Sequence, residues 1–103
     1  MWITVGVMAV TGCGPVTYIV AINDAAEAVE EARQSGAGDT STGTAAYDYW
    51  LAVEHLAEAR ELAGDAEYQA AMDLAETAEN AGHRARMLMR ERSDAQAGHE
   101  ASR

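Results

Sequence analysis

The chain has no lysine and no phenylalanine, one cysteine, one proline, and no charged side chain before Asp24. Each absence narrows what the molecule can be. A sheet needs β-branched and aromatic residues, whereas 23 alanines favour helices that pack closely through small side chains. A single cysteine has no partner for an internal disulfide. All seven cations are arginines, and the net charge is −10. That balance argues against nucleic acid as a partner, because phosphate contacts need a basic face. It also argues against adhesion of the domain itself to anionic lipid. The uncharged stretch from Met1 to Ile22 is diluted by Thr4, Gly6, Thr11, Gly12, Gly14, Pro15 and Thr17. A spanning helix wants about 20 predominantly apolar residues, so an uncleaved N-terminal membrane anchor is an alternative rather than the first reading.

What is present begins with Cys13. Val10-Thr11-Gly12-Cys13 follows an apolar run from Trp2 and precedes Gly14-Pro15. An aliphatic residue, a small residue, Gly and then Cys resembles a bacterial lipoprotein signal, or lipobox. The resemblance implies that the signal, residues 1–12, is cleaved and that Cys13 carries diacylglycerol with a further acyl chain on its new N-terminus. Two or three acyl chains anchor stably where one binds only marginally. The competing reading makes Cys13 a small buried residue. The segment departs from a secretory signal in one respect, having no Lys or Arg at its start.

Residues 13–16 then read as a tether, ended by a helix from Thr17 to Gln34 with Thr17 as its cap. Tyr18, Ile22, Ala25, Val29 and Ala32 step by three and four and share one face. Residues 35–44 read as a loop. A second helix runs over 45–63 with Thr44 as its cap and an inward stripe of Tyr49, Ala52, Leu56, Ala59 and Ala63, widened by Val53. Gly64 marks its end and Asp65 the start of the next. The third helix, 66–92, aligns Tyr68, Ala71, Ala75, Ala78, Gly82, Ala85 and Met89. Gly82 costs roughly 1 kcal/mol relative to Ala in a helix interior, and a close crossing by helix 1 would explain it. Residues 93–103 read as a flexible tail. The expected fold is all-α, a small antiparallel three-helix bundle.

Charge is uneven along the chain. Residues 1–82 hold fourteen acids and two arginines, whereas His83 to Arg92 holds Arg84, Arg86, Arg90 and Arg92 against Glu91. Two readings are open: a basic patch for an acidic partner or headgroup, or arginines meeting the negative end of a helix macrodipole. Tyr47 and Trp50 lie one turn apart and share a side, and Tyr49 points elsewhere. They either cover the open end of the bundle or present an anchor to a partner, since Trp and Tyr dominate interface energetics.

Catalytic and metal arrangements are weak. His55, His83 and His99 are far apart, and no Glu stands three residues before any of them, as a di-iron bundle requires. Glu79 and His83, one turn apart, suit a surface ion pair. The serines have no His and Asp in a recognisable order. The reading is non-enzymatic, with no metal and no cofactor beyond lipid on Cys13.

Gly64-Asp65, then Tyr68, Ala71, Ala75 and Ala78, resembles the second half of a tetratricopeptide unit, which makes the helix 2–helix 3 hairpin tetratricopeptide-like. Over residues 18–86 the chain resembles the bacterial lipoproteins of the helical domain-of-unknown-function 4398 family. That resemblance rests on Ala25-Ala26-Glu27-Ala28, Tyr47-Asp48-Tyr49-Trp50, Leu56-Ala57-Glu58-Ala59-Arg60-Glu61 and Tyr68-Gln69-Ala70-Ala71. It implies a cell-envelope location and no established activity. Gly14, where Asp would retain a lipoprotein at the inner membrane, points by the same sorting analogy to the outer membrane, facing the periplasm. The expected role is a protein-interaction or scaffolding module, using Tyr47, Trp50, Arg84, Arg86 and Arg90, with an envelope protein or a second copy as partner. The alternatives are a small-ligand carrier with a groove between helices 1 and 3, and a membrane subunit held by the uncleaved N-terminus.

Overall fold

The computed structural model describes the backbone over residues 13–101 and the side chains over residues 17–101. The expected signal, with Val10, Thr11 and Gly12, lies outside the described residues, as does the side chain of Cys13. Three helices account for most of the rest: α1 (Cys13–Gln34), α2 (Thr44–Gly64) and α3 (Tyr68–Ala101), with a 3-10 turn at Thr40–Thr42. Among the described residues there is no strand. The protein is an all-α three-helix bundle. Its helices alternate in direction, and α3 packs against both α1 and α2.

The interior is made of alanine. Ile22, Tyr49 and Leu56 are the only buried apolar residues larger than alanine among those described, and thirteen alanines complete the core. A buried methyl removes little apolar area from water, so cohesion depends on close contact between backbones. Alanine suits this because it has the best helix propensity and loses no side-chain rotamers on burial. One such close approach is between α1 and α3. A Cβ built on Gly82 would lie 3.0 Å from the carbonyl carbon of Ala28 and 3.1 Å from its Cβ. The expected crossing of helix 1 at Gly82 is therefore present. Ala28, Ala45, Ala46 and Ala81 are buried beyond the expected stripes, and Tyr18, Val29, Val53, Ala63 and Met89 are only half-buried.

Both interhelical turns leave α1 and α2 by the same capping geometry. After α1, Ala37 N–H donates to Ala32 O and Gly36 N–H to Arg33 O, with Gly36 at φ +90°. After α2, Glu67 N–H donates to Leu62 O and Ala66 N–H to Ala63 O, with Ala66 at φ +63°. These are Schellman motifs, in which the left-handed residue is usually glycine. Here the second turn has its glycine two places early: Gly64 is the last helical residue, and a Cβ there would meet nothing within 4 Å. The expected helix start at Asp65–Ala66 is corrected accordingly, since Asp65 and Ala66 belong to the cap and α3 begins at Tyr68. Exchanging the two residues is expected to stabilise the protein. Ala66→Gly relieves left-handed strain and Gly64→Ala restores helix propensity, together worth about 1–2 kcal/mol. Urea unfolding checks this, with the double variant raising the midpoint at unchanged slope.

Three other boundaries differ from expectation. α1 starts at Cys13, so residues 13–16 are helical rather than a tether. Pro15 causes no break because it lies in the first turn, where a missing N–H costs nothing. Thr17 is accordingly inside the helix, not its cap. α2 begins one residue early, at Thr44, with Gly43 as N-cap and no side-chain cap bond. The segment 93–101, expected as tail, continues α3 as a fully exposed helix.

Candidate interaction surface

The two ends of the bundle differ in chemistry. One end gathers the start of α1, the α2–α3 turn and the start of α3. There the Tyr18 and Tyr68 rings meet with centroids 5.8 Å apart. The other end gathers the 35–43 loop, the start of α2 and the arginine-rich part of α3.

At this second end the aromatic triplet separates as its spacing requires. Tyr49 is buried in contact with Ala32, Ala37, Ala45 and Ala85. Tyr47 and Trp50 face outward, 67% and 49% exposed. Trp50 packs its ring edge-on against Tyr49 at 4.8 Å and donates its indole N–H to Gly38 O at 3.1 Å. The loop therefore fixes the indole while leaving half of it in water. Tyr47, Trp50, Leu51 and Glu54 line an open depression of about 260 Å³. The two expected roles are thus divided between residues: Tyr49 closes the end of the bundle, and Tyr47 with Trp50 forms an exposed aromatic surface.

The arginines follow neither expected reading in full. α3 continues for nine residues past Arg92, so its negative end is not where they sit. Several instead join α3 to other elements. Arg84 reaches Asp48 Oδ1 at 3.4 Å, Arg86 reaches Glu31 Oε1 at 3.4 Å, and Arg92 donates to Ser41 O at 3.5 Å. Asp48 is the one buried charged residue among those described, and nothing in the local sequence marks it. With one partner half-exposed, such pairs contribute about 0–1 kcal/mol each, so they set register more than stability. Arg90 stands with Arg86, His83 and Met87 around an open depression of about 190 Å³. The structure thus brings Arg86 and Arg90 together, and places Arg84 across α3 beside Asp48, Thr44 and Met87.

The loop is held by Asp39. The Ser41 backbone N–H donates to its Oδ1 at 2.9 Å, and the Ser41 bonds hold the carboxyl below the usual carboxylate range. A depressed pKa means the contribution is present above the ordinary carboxylate value and lost as pH falls through the folded one. The Ser41 amide resonance is therefore expected to titrate in acid below the usual aspartate range. In Asp39→Asn that titration disappears. Glu30 is lowered likewise, by its hydrogen bonds with Arg33 on the surface of α1.

His83 Nε2 lies 3.6 Å from Glu79 Oε2, as an ion pair one turn apart would. His55 Nδ1 is buried without a hydrogen-bond partner. Among the described residues no three His, Cys, Asp or Glu side chains are grouped to hold a metal ion. No described helix is long and apolar enough to cross a membrane. In comparisons with family models, curated proteins and solved structures, none matches the chain.

Proposed function

We propose that the chain is a lipid-anchored cell-envelope protein whose acidic bundle is a non-enzymatic protein-interaction or scaffolding module. Acyl chains on Cys13 hold it at a membrane, on the sorting analogy the outer membrane facing the periplasm. The observation that carries the interaction role is the exposure of Tyr47 and Trp50 at the end of the bundle opposite Cys13. α1 runs 22 residues from Cys13, so that surface stands about 33 Å from the anchor at 1.5 Å per residue. Because α1 starts at the anchor with no intervening coil, the aromatic end is held away from it by a continuous helix.

Two features support a binding module over a ligand carrier. The seam between α1 and α3 is filled by direct contact where Ala28 meets Gly82, so the middle of that seam holds no groove for a small molecule. Large aromatic side chains left in water on a rigid helix are what interface hot spots are made from. Resemblance to the lipoprotein family named above supports the location.

A photo-crosslinking amino acid at position 47 in the native host tests this. It is expected to give one discrete protein adduct that the same probe at Ala57, on another part of the α2 surface, does not. Its mass separates an envelope partner from a second copy of the chain. Trp50→Ala should weaken the adduct at least tenfold, as loss of an aromatic hot spot of about 2 kcal/mol would. Equal, diffuse labelling at both positions would overturn the interaction reading.

A further inference from the structure

We infer that the Cys13 end of the bundle is itself a membrane-contact surface, built to lie in the interface of a zwitterionic phospholipid bilayer. The inference rests on the anchor reading above, but only on the chain leaving the bilayer at Cys13. Either acylation of that residue or retention of the apolar residues before it would place it there.

Ile19 and Val20 are 52% and 55% exposed, in a molecule whose large apolar residues are few. They lie six and seven residues after Cys13 on one continuous helix, so about 9–10 Å along its axis. Amphipathic segments seat their apolar face roughly 5–10 Å into the boundary between headgroups and acyl chains. With α1 inclined strongly toward the membrane plane, rather than standing upright on it, both side chains reach that layer. No charged residue precedes Asp24, so the first three turns of α1 bring no ionised side chain to that layer.

The neighbouring groups are those of an interface. Tyr18 and Tyr68 are half-buried, their rings meeting at a tilt of 48° beside Ile19, and tyrosine belongs at headgroup level, with an apolar ring and a polar tip. Arg60 shares an open depression of about 340 Å³ with Tyr18, Ile19 and Tyr68. Among the described residues it is the one arginine in this half of the bundle, and from this edge it would meet a lipid phosphate. Glu61, Asp65 and Glu67 are exposed at the same end. They make anionic lipid unfavourable and keep the α2–α3 turn out of the bilayer, so the α1 edge is the part that enters. Ile19 and Val20 each leave about half of their surface in water, and a bilayer reached through Cys13 is the surface directly beside them.

The test uses the full chain, extracted from membranes and reconstituted into phosphatidylcholine vesicles with brominated acyl chains. The native tryptophans are replaced, Trp2→Phe and Trp50→Phe, and Ile19→Trp supplies the reporter. A second protein keeps Trp50 and replaces only Trp2. Fluorescence from position 19 is expected to be quenched several-fold more than that from Trp50. Adding Val20→Asp and Arg60→Glu should abolish the difference, and anionic phosphatidylglycerol vesicles should reduce it. An intact mass on the same sample reports the anchor separately. Acylated protein with an unquenched reporter at position 19 would overturn the contact surface and leave the anchor standing. Unmodified protein that does not associate with vesicles would overturn both.

Discussion

Gly82→Leu is expected to lower the melting temperature by roughly 12–24 °C. The position has no room, since even a Cβ would press to 3.0 Å on the backbone of Ala28. Inserting methylenes into a filled core costs typically 1–3 kcal/mol, and a leucine against main chain belongs at the top of that range. For a domain of this size about 3 kcal/mol corresponds to that shift. Gly82→Ala is the finer probe. It gains about 1 kcal/mol of helix propensity, loses as much or more in separating α1 from α3, and should come out neutral to destabilising. Gly98→Ala, on the exposed part of α3 with nothing within 4 Å, should give the propensity gain alone. If Gly82→Ala and Gly98→Ala stabilise equally in a thermal melt, the two helices do not cross at Gly82.

Leu56→Ala has the second large effect, for the opposite reason. Leu56 is 5% exposed and, with Ile22, supplies most of the aliphatic bulk among alanines from all three helices. Truncating a buried leucine costs about 2–5 kcal/mol, depending on how far the site collapses. Helices already in contact through alanine cannot move closer, so the cavity persists and the cost should exceed about 3 kcal/mol. Small domains have total stabilities near the low end of about 5–15 kcal/mol, so this is a large fraction of the whole. The check is a urea titration against Leu51→Ala, whose half-buried leucine should cost under about 1.5 kcal/mol. Equal costs for the two would mean that the core is not centred on Leu56.

The seams were legible because alanine recurs at three- and four-residue steps, and a helix turns those steps into a face. Ala28 is not marked by the sequence, for a related reason. Val29 beside it is more hydrophobic, but the crossing with Gly82 admits only the smaller residue. The tether expected over residues 13–16 is helical instead, because proline is harmless in a first helical turn. Gly64 misled in the same way: glycine at a helix end suggests the left-handed position, and here alanine at 66 occupies it. The helix beyond Arg92 carries no apolar stripe, so periodicity offered no sign of it. At the interaction surface the three-residue spacing of Tyr47 and Trp50 sufficed to put them on one side, and Tyr49 on another. The pairings of Arg84 with Asp48 and Arg86 with Glu31 were not legible. They join residues 36 and 55 positions apart, and only the packed bundle brings them together.

The structural and functional readings meet at Cys13, where α1 begins and where the anchor is proposed to be attached. Intact mass spectrometry of the membrane-extracted protein from its native host, beside Cys13→Ala, tests that point most directly. The account predicts a mass equal to residues 13–103 plus diacylglycerol and one further acyl group, lost in the variant. An unmodified full-length mass for the native protein would contradict it.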